Sequence, residues 1–297
     1  MISLAESFVM NRKILFIMFL GCQIMQYCYA NETDVNNVFV SILPQKYFAE
    51  RVAGEHVKVS VMVGNGQSPA TYEPTPKQMV LLDKSQLYFQ IGVPFESIWI
   101  DAIRELNSDI KIIECCMELT TRRIEGHSHG HNVKERVLDP HVWTSPANAK
   151  YIALKIKQAL VDSYPVYEKD FETNYSRLIK DLDKLDQDIK SRLAHLNNRY
   201  VIVSHPSWGY YAEAYNLIQL PIEVEGKEIR AKSLAKLIEF AKSKNINRVF
   251  VQKQFNKNST EIIAGEISAD VIELDPLAED YIANLYYVTD AILNRKK

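Results

Sequence analysis

The 297-residue chain is short of the residues that build cross-linked or linker-rich proteins. Its four cysteines are too few for a disulfide scaffold, and 10 glycines and 11 prolines leave no room for low-complexity linkers. Neither sign of charge dominates: 35 Lys and Arg face 37 Asp and Glu, which argues against an electrostatic nucleic-acid surface. No apolar run approaches the roughly 20 residues that a membrane-spanning helix needs. What is present is a hydrophobic fraction of 47% and a charged fraction of 24%, ordinary globular values that exclude a disordered or fibrous chain. The length is generous for one domain and suits two lobes.

The first thirty residues stand apart from the rest. Arg12 and Lys13 precede the apolar run Ile14 to Leu20, and Cys28-Tyr29-Ala30 puts small residues at the −3 and −1 positions of a cleavage site. This is the pattern of a secretory signal peptide spanning residues 1–30, with Met10 a candidate start. A second reading takes Leu20-Gly21-Cys22 as a lipobox, with Cys22 lipidated and the chain tethered to a membrane. Both readings place the mature chain outside the cytoplasm, in a periplasm or beyond it. Only Cys115 and Cys116 remain after cleavage. Neighbouring Cα atoms lie about 3.8 Å apart, below the ~4.4–6.8 Å of ordinary disulfides, so the pair reads as apolar filling.

Short apolar runs alternate with amphipathic stretches. Val38 to Leu43, Val57 to Val63 and Leu87 to Phe89 read as strands in the first half, and Val201 to Val203, Arg248 to Val251 and Val271 to Leu274 in the second. Helical patterns lie between them, including Ala147 to Val161, Ser233 to Lys244 and Tyr281 to Leu293. Such alternation predicts α/β lobes with largely parallel sheets. One segment breaks the rhythm: between Pro165 and Asn197, Phe171, Tyr175, Leu178, Leu182, Leu185, Ile189, Leu193 and Leu196 recur every three or four residues. That spacing predicts one long helix with a single apolar face, a strut joining both lobes rather than a coiled-coil seam. The expected divisions are an N-terminal lobe over 31–164, a linking helix over 165–197 and a C-terminal lobe over 198–297.

The histidines are placed unevenly. His127, His129 and His131 alternate with Ser and Gly in a polar stretch over 125–136, a pattern suited to transient capture of Zn²⁺ by neutral imidazoles. His141 lies in Asp139-Pro140-His141-Val142-Trp143, and His205 follows an apolar strand in Ser204-His205-Pro206-Ser207-Trp208. Asp275 follows another strand in Leu274-Asp275-Pro276-Leu277. Ligands of open α/β sheets bind beyond the carboxyl ends of strands, and a proline beside each residue restricts the backbone that carries it. Alone, each histidine reads more readily as a structural one and Asp275 as a helix cap. His56 and His195 lie outside these patterns and read as solvated surface residues.

Together these patterns resemble the zinc- and manganese-binding solute receptors of ABC importers, the TroA-like group, and within it the zinc-uptake receptors. The resemblance rests on Tyr72-Glu73-Pro74-Thr75-Pro76, the His141 and His205 segments, Glu225-Gly226-Lys227-Glu228, Gln254-Phe255 and Leu274-Asp275-Pro276-Leu277, in order along the chain. It implies two α/β lobes on one backbone helix, a metal in the cleft between them, and three histidines with one carboxylate as ligands. His141, His205 and Asp275 match three of those positions. The fourth departs from the pattern, because Ala70 stands where the family has a histidine and offers no donor atom. The candidates to close the site are His127, His129 or His131, a water, or Glu73, the last favouring Mn²⁺ or Fe²⁺.

The resulting expectation is a monomeric receptor that captures Zn²⁺, with Mn²⁺ the nearest alternative, and delivers it to a membrane permease. It makes and breaks no bond and touches no nucleic acid. A metal-dependent hydrolase would need a general base near the metal, for which Glu73 is the one motif candidate. A storage protein or adhesin on the same fold, with altered or lost metal binding, is the remaining rival.

Overall fold

Val38, Phe39, Val40, Ser41 and Ile42 are all fully buried, the signature of a strand covered on both faces. They form β1 (Asn37–Ile42), one of two interior strands of an N-terminal sheet in a computed structural model that describes residues 36–124, 138–224, 227–254 and 258–294. Around it, β2 (Lys58–Val63), β3 (Leu87–Gln90) and β4 (Lys111–Glu114) pair in the order β2-β1-β3-β4, every pair parallel. The crossovers are α1 (Leu43–Ala53), α2 (Pro76–Asp83) and α3 (Pro94–Leu106). Each opens on a proline in its first turn, where a missing N–H costs nothing. Thr75 and Gln78 add a reciprocal capping box that fixes the start of α2.

Two helices then lead to the second lobe, α4 (Pro146–Ser163) and α5 (Glu168–Leu193). The long helix predicted over 165–197 is therefore 26 residues, about 39 Å at the standard rise, preceded by a 3₁₀ turn at Pro165–Tyr167. Proline at the first position and the turn closed by Leu196 N–H on the Leu193 carbonyl trim the two ends. The stripe Phe171, Leu178, Leu182, Leu185, Ile189 and Leu193 is buried, while Tyr175 and Leu196 are half-buried at its edges. It faces α1 and α4 on one side and the last helix of the chain on the other.

The C-terminal sheet uses β5 (Tyr200–Val203), β6 (Ile218–Pro221), β9 (Arg248–Val251) and β10 (Asp270–Glu273) in the order β10-β9-β5-β6, again all parallel. Between β6 and β9, β7 (Glu223–Val224) and β8 (Lys227–Glu228) form a small antiparallel ribbon. The helices are α6 (Gly209–Ala214), α7 (Ala231–Ser243), α8 (Asn258–Ile267) and α9 (Tyr281–Leu293). One continuous core runs through both lobes, taking in Phe48, Trp143, Phe171, Tyr211, Tyr281 and Val288. A smaller one, including Ile202, Val249 and Ile263, lies under α7 and α8.

The architecture is thus two parallel-sheet α/β lobes with a long helix packed across them, as the alternating pattern predicts. Cys115 is buried and Cys116 half-buried, both unbridged, and burial pushes the Cys116 thiol up to about 12. His195 is exposed, and His56 lies half-buried at the surface, stacked on Tyr167 at 4.1 Å and reaching Asp170 at 2.8 Å. Among the described residues no helix is long and apolar enough to cross a membrane.

Candidate metal centre

Because each sheet is parallel, the carboxyl ends of its strands open on one side, and the segments leaving them converge on one cavity of about 150 Å³. Ser68, Pro69 and Ala70 come from beyond β2, Val93 and Pro94 from beyond β3, His205 from beyond β5, Gln252 and Gln254 from beyond β9. At roughly 30 Å³ per water this space admits a cation with a few small ligands.

His141 enters from the N-terminal side. Its carbonyl accepts the Thr144 N–H at 3.2 Å and the Thr144 hydroxyl at 2.9 Å, so the 3₁₀ turn Val142–Thr144 anchors its backbone. Two residues earlier, Asp139 accepts both the His141 backbone N–H at 3.0 Å and the ring Nδ1–H at 2.7 Å on one oxygen. Its other oxygen takes the Arg122 guanidinium at 2.7 Å. Burial works to raise the Asp139 pKa, but the His141 bonds and Arg122 outweigh it and hold the carboxyl below its usual range. Burial lowers the pKa of His141, with Asp139 opposing. A neutral ring with its proton on Nδ1 keeps a lone pair on Nε2, the form a metal requires.

His205 enters from the C-terminal side. Phe250 C=O receives the N–H of Ser204, the residue that carries β5 into the site, and Pro206 restricts the backbone of His205 itself. Its Nδ1 lies 3.1 Å from Glu223 Oε1, at the start of the β7–β8 ribbon. The His141 and His205 rings stand 5.3 Å apart edge to face. Both histidines are therefore oriented by a carboxylate, from different lobes, beside one cavity. Asp275 stands next to it: Pro276 and Leu277 line the wall, while Asp275 Oδ1 accepts the Leu277 N–H at 2.9 Å.

Residues 38–295 match the family described as ZnuA, zinc-uptake complex component A, periplasmic. The chain belongs to that family. A crystal structure of ZnuA superposes with a TM-score of 0.81 at 39% identity, over 88% of this chain and 98% of that one. A ZnuA deletion mutant with zinc bound gives 0.82 at the same identity and coverage. A Chlamydia trachomatis protein provisionally named for metal binding is 29% identical over 90% of this chain and 94% of its own length. The zinc-binding lipoprotein AdcA of Streptococcus pneumoniae is 24% identical over 87% of this chain, which spans 53% of it. The laminin-binding protein Lmb of Streptococcus agalactiae, at 20% identity and a TM-score of 0.75, shares the fold.

Membership makes the chain a solute-binding receptor of a family described by zinc uptake. Within that frame the remaining candidates separate. Ala70 does line the cavity, so the position without a donor is at the site. Glu73, three residues on, is exposed and outside the cavity wall. His127, His129 and His131 lie outside the described residues, as does the signal segment, although Ile124 at the edge of the His-rich stretch is in the wall. Among the described residues no three His, Cys, Asp or Glu side chains are already gathered around one point. His141 and His205 are brought together, and Asp275 remains committed to its turn.

Sequence reasoning gave no role to Asp139, Glu223, Arg122, Gln252 or Gln254. Asp139 sits inside a motif already singled out, and a carboxylate two residues from a candidate ligand is a usable signal. Glu223 carries none, because only the parallel pairing of β5 with β6 sets it beside His205.

Proposed function

We propose that the chain captures a zinc ion outside the cytoplasm and delivers it to the membrane permease of an ABC importer. His141 and His205 supply imidazole donors, and Asp275 leaves its turn contact to supply a carboxylate. The observation that carries this reading is the pair of carboxylate–histidine couples, Asp139–His141 and Glu223–His205, meeting beside one cavity. Such couples fix the tautomer and raise the basicity of metal-bound histidines. Two imidazoles favour zinc over manganese on the usual affinity order. The ion is cargo, so no bond is made or broken, and Glu73 is too exposed to serve a hydrolytic water.

The long α5 and the continuous core favour small adjustments of the lobes over a wide hinge. We read the chain as a monomer, exported by cleavage after Ala30, with lipidation of Cys22 as the tethered alternative; mass spectrometry of the exported protein separates these.

The test is calorimetric titration of the metal-free protein with Zn²⁺ and, separately, Mn²⁺, beside His205→Ala and a variant with His127, His129 and His131 changed to Ala. One tight Zn²⁺ equivalent, lost in His205→Ala, is the expected result. A sharp weakening in the triple variant assigns a loop histidine to the set. No tight Zn²⁺ equivalent in the unmodified protein overturns the receptor reading.

A further inference from the structure

Gln252 and Gln254 leave β9 together and both line the cavity that holds His141 and His205. Their side chains differ in one respect. Gln252 Nε2 donates to the Ser207 hydroxyl, while Oε1 and Nε2 of Gln254 are both buried with no hydrogen-bond partner among the described residues. A carboxamide whose polar atoms lack a protein partner beside a cavity is placed to meet a ligand there. The same wall contains Ala70, which has no donor to offer.

We propose that Gln254 is a metal-binding residue, its carboxamide oxygen taking the coordination position that Ala70 leaves without a donor. The proposal rests on the zinc-receptor reading. An amide oxygen is a neutral, hard donor. With two imidazoles and the Asp275 carboxylate it completes the four ligands that Zn²⁺ prefers, carrying one negative charge against two positive. Compared with a three-histidine site, this set narrows the margin between zinc and harder cations such as Mn²⁺. Of the alternatives from the sequence, Glu73 is exposed outside the wall.

The experiment compares unmodified protein, Gln254→Met, Gln254→His and His205→Ala by three readouts. These are Zn²⁺ affinity in competition with a chelator, the visible spectrum of the Co²⁺-loaded protein, and the melting temperature of the metal-free form. Methionine keeps the volume and removes both unpartnered polar atoms. The expected result is a Zn²⁺ affinity lower by at least the ~10–100-fold seen when even an outer partner of a metal ligand is lost. The Co²⁺ spectrum should change, and the metal-free melting temperature should hold or rise because no hydrogen bond disappears. Gln254→His should keep tight Zn²⁺ binding and widen its preference over Mn²⁺. If Gln254→Met binds Zn²⁺ as before with the same Co²⁺ spectrum while His205→Ala does not bind, Gln254 is no ligand and the receptor reading stands. Loss of affinity accompanied by a lower metal-free melting temperature and an unchanged Co²⁺ spectrum overturns it as well. Failure of the unmodified protein to bind Zn²⁺ removes the receptor reading and this one together.

Discussion

The Trp143 indole N–H donates to the carbonyl of Pro276 at 2.7 Å, joining the segment two residues past His141 to the residue after Asp275. The Tyr281 hydroxyl closes the arrangement by donating to the Trp143 carbonyl at 2.8 Å. Two proposed ligand segments from different lobes are therefore held at a fixed separation before any metal arrives, which lowers the ordering cost of binding.

Trp143→Phe tests this tie. The ring volume largely remains, but the buried Pro276 carbonyl loses its donor, at a cost of about 1–3 kcal/mol. The metal-free protein should melt lower, and Zn²⁺ affinity should fall because Asp275 is no longer held opposite His141. An unchanged affinity in a destabilised variant would show that the tie serves the fold alone.

The second prediction concerns Asp139. Asp139→Asn keeps the shape but removes the anion that holds His141 Nδ1–H at 2.7 Å and Arg122 at 2.7 Å. Zn²⁺ affinity should drop by roughly 10–100-fold. The sign of the pH effect follows from the lowered pKa of His141: protons compete with metal there only below the ordinary histidine value near 6.5. Competition titrations at several pH values check both, and an affinity that already halves above that value in the unmodified protein would contradict the depressed pKa.

What was legible in the sequence and what was not divides along physical lines. β1 and β9 announce themselves because burial on both faces demands an unbroken apolar run, and α5 because its single buried face repeats every three or four residues. α2 buries Leu82 alone, and β4 is Lys111-Ile112-Ile113-Glu114, so neither carries a periodic signal. At the site, His141, His205 and Asp275 stand out because a proline neighbours each. Glu223 does not, and Gln254 belongs to the Gln254-Phe255 motif without any sign of its place at the cavity, since the proximity of both to the histidines arises only when parallel strands from distant parts of the chain end side by side. Glu73 illustrates the converse: nearness to Ala70 in sequence left it facing solvent.

A third prediction arises from Gly209. A Cβ added there would meet Arg122 Nη1 at 1.5 Å, Cζ at 2.4 Å and Asp139 Oδ2 at 2.7 Å, so only a glycine leaves room for the ion pair. Gly209→Ala should expel Arg122 from the fully buried Asp139 carboxylate, with a cost up to the ~3–5 kcal/mol of breaking a buried pair. The melting temperature and the Zn²⁺ affinity should fall together. In an Arg122→Ala background the same substitution should cost less, because only the Asp139 Oδ2 contact then remains, and an equal loss there would show that Arg122 is not what the Cβ displaces.

Glu96 supplies the last prediction. It is buried in α3, where the Ser41 hydroxyl and the backbone N–H groups of Ile91, Gly92 and Val93 all donate to its carboxyl. Burial outweighs these bonds and raises its pKa from 4.5 to about 7. The folded protein therefore holds a proton that the unfolded chain releases between those values. Stability contributed by this group is fully present below about pH 4.5 and is lost as pH rises through 7, a change on the order of 3 kcal/mol. Denaturant unfolding of the metal-free protein from pH 4.5 to 8, compared with Glu96→Gln, isolates the effect. The difference between the two stabilities should shift by that amount across the window in favour of the variant. A pH-independent difference would show that the four donors keep Glu96 ionised throughout and that the carboxylate is a permanent anchor of the β3–α3 turn.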